Sequence, residues 1–127
     1  MAIFIDSYFS FAILNKNDHA HAVAKTFVTR PLGPVVTTAW ILTEVADGLS
    51  APINRQLFID LLNLLRTDPG VKIIPPNERH VDEAISLFGA RLDKGWSLTD
   101  CVSFVNMREL GIQQALTGFT ALLETLP

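Results

Sequence analysis

Two rhythms of apolar residues alternate along this chain. Short runs rich in β-branched side chains occur at Ile3–Ile5, Val35–Thr38 and Val71–Ile74, and a further run spans residues 113–117. Runs of this length suit strands buried on both faces. Between them the apolar residues recur every three or four positions, the period of a helix. Ser7–Leu14 is apolar almost all round, which predicts a short buried helix. Asp18 can cap a second helix over His19–Thr29, with Ala22, Val23, Phe27 and Val28 inward, and Pro31, Gly33 and Pro34 end it. Thr38 caps a helix over Ala39–Leu49 whose apolar positions are Trp40, Ile41 and Val45. Asn54–Arg66 carries Leu57, Phe58, Leu61, Leu62, Leu64 and Leu65, a surface wide enough to predict packing on more than one side. Asn77 opens a helix over Glu78–Leu92, with Val81, Ile85, Phe88 and Leu92 at helical spacing. Ser97 opens a last one over Leu98–Leu110, which Gly111 closes.

Strands that alternate with helices predict an α/β fold with a parallel sheet covered on both faces and right-handed crossovers. Ligands of open α/β sheets sit at the carboxyl ends of the strands. Asp6 stands where the first strand gives out, so it is a candidate for that crevice; its other reading is a helix N-cap. Glu44 lies one turn after the second strand and can lean back toward the same edge, or it is a solvated helical glutamate. Asp100 follows Ser97 by three, a capping-box spacing with a structural reading of its own. The free N–H groups of a helix start would also keep a carboxylate there ionised and able to ligate a metal. The three carboxylates are expected to converge on one cation or its waters, and oxygen-only ligands select Mg²⁺ or Mn²⁺.

The length of 127 residues supports one domain with a real core. Ten Lys and Arg against thirteen Asp and Glu give a net charge of −3, which argues against a broad basic nucleic-acid surface and leaves room for a local one. The single cysteine, Cys101, has no partner for an intramolecular disulfide, so a reducing, cytoplasmic setting is the expectation. Met1–Leu14 lacks a basic start and a small-residue cleavage site, and no apolar run reaches membrane-spanning length. His19 and His21 are too few ligands for a zinc site and read as a solvated pair; Cys101 reads as a small buried hydrophobe. No glycine-rich phosphate loop and no Gly-x-Ser-x-Gly elbow occurs.

Three stretches together resemble a known family: Ile3-Phe4-Ile5-Asp6-Ser7, then Val35-Val36-Thr37-Thr38-Ala39-Trp40-Ile41-Leu42-Thr43-Glu44, then Trp96-Ser97-Leu98-Thr99-Asp100-Cys101 with Phe104. Their order and spacing are similar to those of the PIN-domain ribonucleases, and among them the VapC-like toxins of toxin–antitoxin pairs. The resemblance implies a three-layer fold around a central parallel sheet of four or five strands, ordered 3-2-1-4-5, with helices on both faces. It implies an acidic site of Asp6, Glu44 and Asp100 that binds Mg²⁺ or Mn²⁺ and cleaves RNA, a VapB-like antitoxin and a homodimer. Ser7 and Thr99 would support the carboxylates or a metal-bound water. Arg91, Lys94 and Trp96 are candidates for RNA contact, against a solvated Arg and Lys beside a Trp packed in the core.

The chain departs from the family at its end. Gly118 stands where the family commonly has a fourth acid, and the stretch after it is shorter than a helix and a strand would need. The expectation is a single domain over residues 1–127 with a shortened C-terminus after 118. Strand four would then be an exposed edge, covered by Phe119, Leu122, Leu123 and Leu126 or by a second subunit. Two further readings remain: a catalytically impaired PIN-like module that only pairs with an antitoxin or with itself, and a small-molecule phosphohydrolase on a similar sheet.

Overall fold

A computed structural model describes residues 2–7, 34–116 and 123–125. Beyond Ser7 the helix expected over Ser7–Leu14, the helix expected over His19–Thr29 with the pair His19 and His21, and the tail residues Gly118, Phe119, Leu122 and Leu126 lie outside the described residues. Among the described residues strand β1 (Ile3–Ile5) is followed by β2 (Val35–Thr38), α1 (Ala39–Gly48), a 3-10 turn (Pro52–Asn54) and α2 (Arg55–Thr67). Then come β3 (Val71–Ile74), α3 (Glu78–Ala90), α4 (Leu98–Leu110), β4 (Gln114–Leu116) and β5 (Leu123–Thr125).

The strands form one sheet in the order β3-β2-β1-β4-β5. β1 pairs in parallel with β2 on one side, Phe4 opposite Val36, and with β4 on the other, Phe4 opposite Ala115. β3 continues the parallel set beyond β2. β5 runs antiparallel to β4, with Gln114 opposite Thr125 and Leu116 opposite Leu123. This corrects two expectations: the sheet is not parallel throughout, and β4 is not its edge. The physical reason is chain length. Only residues 117–122 separate the two strands, and a parallel return needs a crossover of about a dozen residues or more.

Helices α1, α3 and α4 each start on a side-chain cap. Thr38 Oγ1 accepts from Ile41 N at 3.1 Å, Asn77 Oδ1 from His80 N at 3.2 Å, and Ser97 Oγ from Asp100 N at 3.0 Å. Helix α2 instead follows the 3-10 turn with no side-chain cap. Gly111 ends α4 with φ 70°, where the left-handed region suits glycine. Phe4, Val36, Ile41, Val45, Leu61 and Ile74 form the main core with Met107, Ile112 and Ala115. A second cluster of Ala84, Cys101, Val102 and Val105 joins α3 to α4 and takes in Trp40, Leu87, Trp96 and Leu98.

Two helices face differently from expectation. α2 packs along one side only: Leu61 is its one buried residue, Phe58 and Leu65 lean on the core, and Leu57, Ile59 and Leu64 are exposed. α3 buries His80 and Ala84, while Ile85, Phe88 and, just past its end, Leu92 are exposed. Its buried face is therefore rotated by about a quarter turn from the apolar stripe. The small side chains of Ala84 and Cys101, both fully buried, let α3 and α4 approach along that face.

Candidate functional site

β1 ends at Ile5, and Asp6 follows half-buried at the carboxyl end of the sheet. Next to it Ser7 is buried, and its hydroxyl donates to Glu44 Oε1 in a very short contact. Glu44 reaches that position because α1 begins directly after β2, so its second turn stands beside the end of β1. The segment after β1 and the helix after β2 are thus linked by a side-chain hydrogen bond at the edge where the sheet's crevice is expected.

Asp100 sits in the first turn of α4 with its side chain exposed. Its Oδ2 accepts from Ser97 N at 2.9 Å while Ser97 Oγ accepts from Asp100 N, so the capping box is complete. Trp40, in the first turn of α1, packs on the cluster that contains Cys101 and Val102. The starts of α1 and α4 therefore neighbour one another. Thr99 is half-buried, and its carbonyl accepts from Ser103 Oγ at 3.1 Å.

The structure brings Ser7 and Glu44 together, with Asp6 next to Ser7 in the chain. It does not gather the three acids into one ligand group: among the described residues no three His, Cys, Asp or Glu side chains lie close enough to hold an ion. One oxygen of Glu44 is taken by Ser7 and one of Asp100 by its own cap. In kind, the donors fit a hard divalent cation, since they are carboxylate oxygens with a serine hydroxyl beside them. Cys101 is fully buried, and burial, followed by the nearby Asp100 charge, pushes its thiol pKa up. It behaves as the small hydrophobe expected.

Arg91, Lys94 and Trp96 form one layer just before α4. The Arg91 guanidinium lies 5.2 Å from the Trp96 ring centroid and the Lys94 ammonium 5.8 Å. Arg91 also donates to both oxygens of Asp93, at 3.0 and 3.1 Å, and this pairing raises the Arg91 pKa and lowers that of Asp93. Trp96 meets Phe104 edge-on with centroids 4.9 Å apart. The indole is thus a support between core and cations, and the ring is not presented bare. A cleft of about 140 Å³ opens beside this layer, lined by Phe88, Arg91, Leu92, Lys94, Trp96 and Cys101.

Sequence reasoning missed two polar links. Thr37 Oγ1 donates to the Ile5 carbonyl at 3.0 Å, and its only sequence signal is a second hydroxyl beside the cap Thr38 in a short β-branched run. Glu109 joins the end of α4 to the start of α3 through Arg79 at 2.7 Å and His80 at 2.5 Å, with no local signal at all.

The PIN domain family model matches residues 3–118, and the chain belongs to that family. Its fold is VapC-like: the crystal structure of Mycobacterium tuberculosis VapC20, described as a sarcin-ricin loop cleaving toxin, superposes with a TM-score of 0.81. That match has 25% sequence identity and covers 91% of this chain and 88% of the other. FitAcB from Neisseria gonorrhoeae shares the fold at a TM-score of 0.62 and 15% identity, over 95% of this chain and 92% of that one. No curated protein matches the chain by sequence. No helix among the described residues is long and apolar enough to cross a membrane.

Proposed function

We propose that this protein is a metal-dependent endoribonuclease acting as the toxin of a toxin–antitoxin pair. The observation that carries the reading is the PIN family match across residues 3–118, a span that contains all three acids. The likeness to VapC20, itself a cleaving toxin, supports RNA as substrate and a VapB-like antitoxin as partner. Asp6, Glu44 and Asp100 would hold Mg²⁺ or Mn²⁺. Such an ion, when bound, activates water and offsets charge on the phosphate. Ser7 keeps one Glu44 oxygen turned toward the end of β1. The capping box holds Asp100 at the start of α4. Lys94 and the Asp93-paired Arg91 offer cations to the RNA phosphates, with Trp96 as their backing. The exposed apolar residues of α3 support a homodimer.

The test is cleavage of RNA by the purified chain with Mg²⁺, with Mn²⁺ and with EDTA. Cleavage should need the metal and fall at least about a hundredfold in Asp6→Asn, since a metal ligand is lost. A folded wild-type protein that cuts nothing with either metal would instead favour the impaired binding module. Two observations speak for that second reading: Gly118 in place of an acid, and three carboxylates not gathered into one group.

A further inference from the structure

We infer that Thr37 is a positioning residue for the Asp6 carboxylate. This rests on the metal-dependent reading above. Main-chain pairing of β1 with β2 joins Ile3 to Val35 and Phe4 to Val36. One step further along, the Thr37 side chain makes the link, its hydroxyl donating to the Ile5 carbonyl at 3.0 Å. That carbonyl belongs to the planar peptide that leads into Asp6, so pinning its oxygen fixes the direction in which Asp6 leaves the strand.

The choice of residue supports a specific role. Thr37 is 3% exposed in the middle of a parallel sheet, where valine has the same shape and needs no polar partner. A buried hydroxyl is costly unless its hydrogen bond is made, so its presence is not explained by packing. The neighbouring residues complete a loop of contacts. Thr38 caps α1, α1 carries Glu44, and Glu44 accepts from Ser7, which follows Asp6. Adjacent threonines thus set the two acid-bearing elements against each other: Thr37 holds the end of β1 and Thr38 the start of α1.

The experiment is Mn²⁺ binding to the full chain by titration calorimetry, with melting curves of the metal-free proteins alongside. Groups that orient metal ligands typically contribute about 10–100-fold to affinity, so Thr37→Val should bind Mn²⁺ about tenfold more weakly or worse. Thr37→Ser, which keeps the hydroxyl, should recover most of the loss. A folded Thr37→Val that binds as the wild type does would overturn the inference, and so would equal losses in the Val and Ser variants. If Thr37→Val does not fold, Thr37→Cys replaces it, close in size with a weaker donor. It should bind more weakly than Thr37→Ser; wild-type affinity there would overturn the inference. A wild-type chain that binds no Mn²⁺ would remove the metal-dependent reading itself and this inference with it.

Discussion

At Glu109 one carboxylate answers two residues of another helix, Arg79 on Oε1 at 2.7 Å and His80 on Oε2 at 2.5 Å. Arg79 first, then His80, hold the Glu109 carboxyl below the usual carboxylate range. Its folded pKa is therefore depressed relative to the unfolded chain, where glutamate titrates near about 4.3. The sign follows from linkage: the contact contributes stability above the unfolded value and loses it as pH falls through the folded one. Glu109→Gln should have a lower urea midpoint than the wild type at pH 7, and the difference should shrink below about pH 4. A difference that stays constant through the acid range would mean the charge is not what matters. Neither His80 nor Arg79 was legible as a partner, because the contact spans about 30 residues and leaves no local pattern. The caps Thr38, Asn77 and Ser97 were legible because each bonds an N–H three residues on. Element order alone put Asp6 after β1 and Glu44 early in the helix after β2, but how the oxygens of Glu44 and Asp100 are engaged depends on Ser7 and Ser97, which only the fold resolves.

The same contrast holds for whole elements. The helical period of α3 was plain in Val81, Ile85, Phe88 and Leu92, yet the helix buries His80 and Ala84 instead. A period says that one face is apolar; which face meets α4 is decided by the small side chains at the contact. β3 and β2 have the bounds expected of them, since their runs end abruptly at Pro75 and at the cap Thr38. The exposed stripe has a consequence for association. Ile85 is 51%, Phe88 49% and Leu92 88% exposed, too much contiguous apolar surface to leave in water without a use. In the proposed homodimer this stripe is buried between the copies. Phe88→Glu with Leu92→Glu should then give a monomer by light scattering while leaving the circular dichroism spectrum unchanged. A double variant that still elutes as a dimer would place the contact elsewhere.

For the molecule as a whole, the short antiparallel β5 matters beyond closing an edge. β4 runs alongside β1 toward Asp6, and β5 turns back, so that Leu123 lies level with the end of β1 and Thr125 level with its beginning. At Thr125 the backbone is thus heading away from the acid-bearing edge. With β5 beyond it, β4 has main-chain partners on both sides, so the amides of Gln114–Leu116 should exchange with deuterium about as slowly as those of β1. Fast uptake there would mean that β5 is a latch that opens in solution, and that the row of N–H and C=O groups along β4 is hidden from a second chain only while the latch is closed.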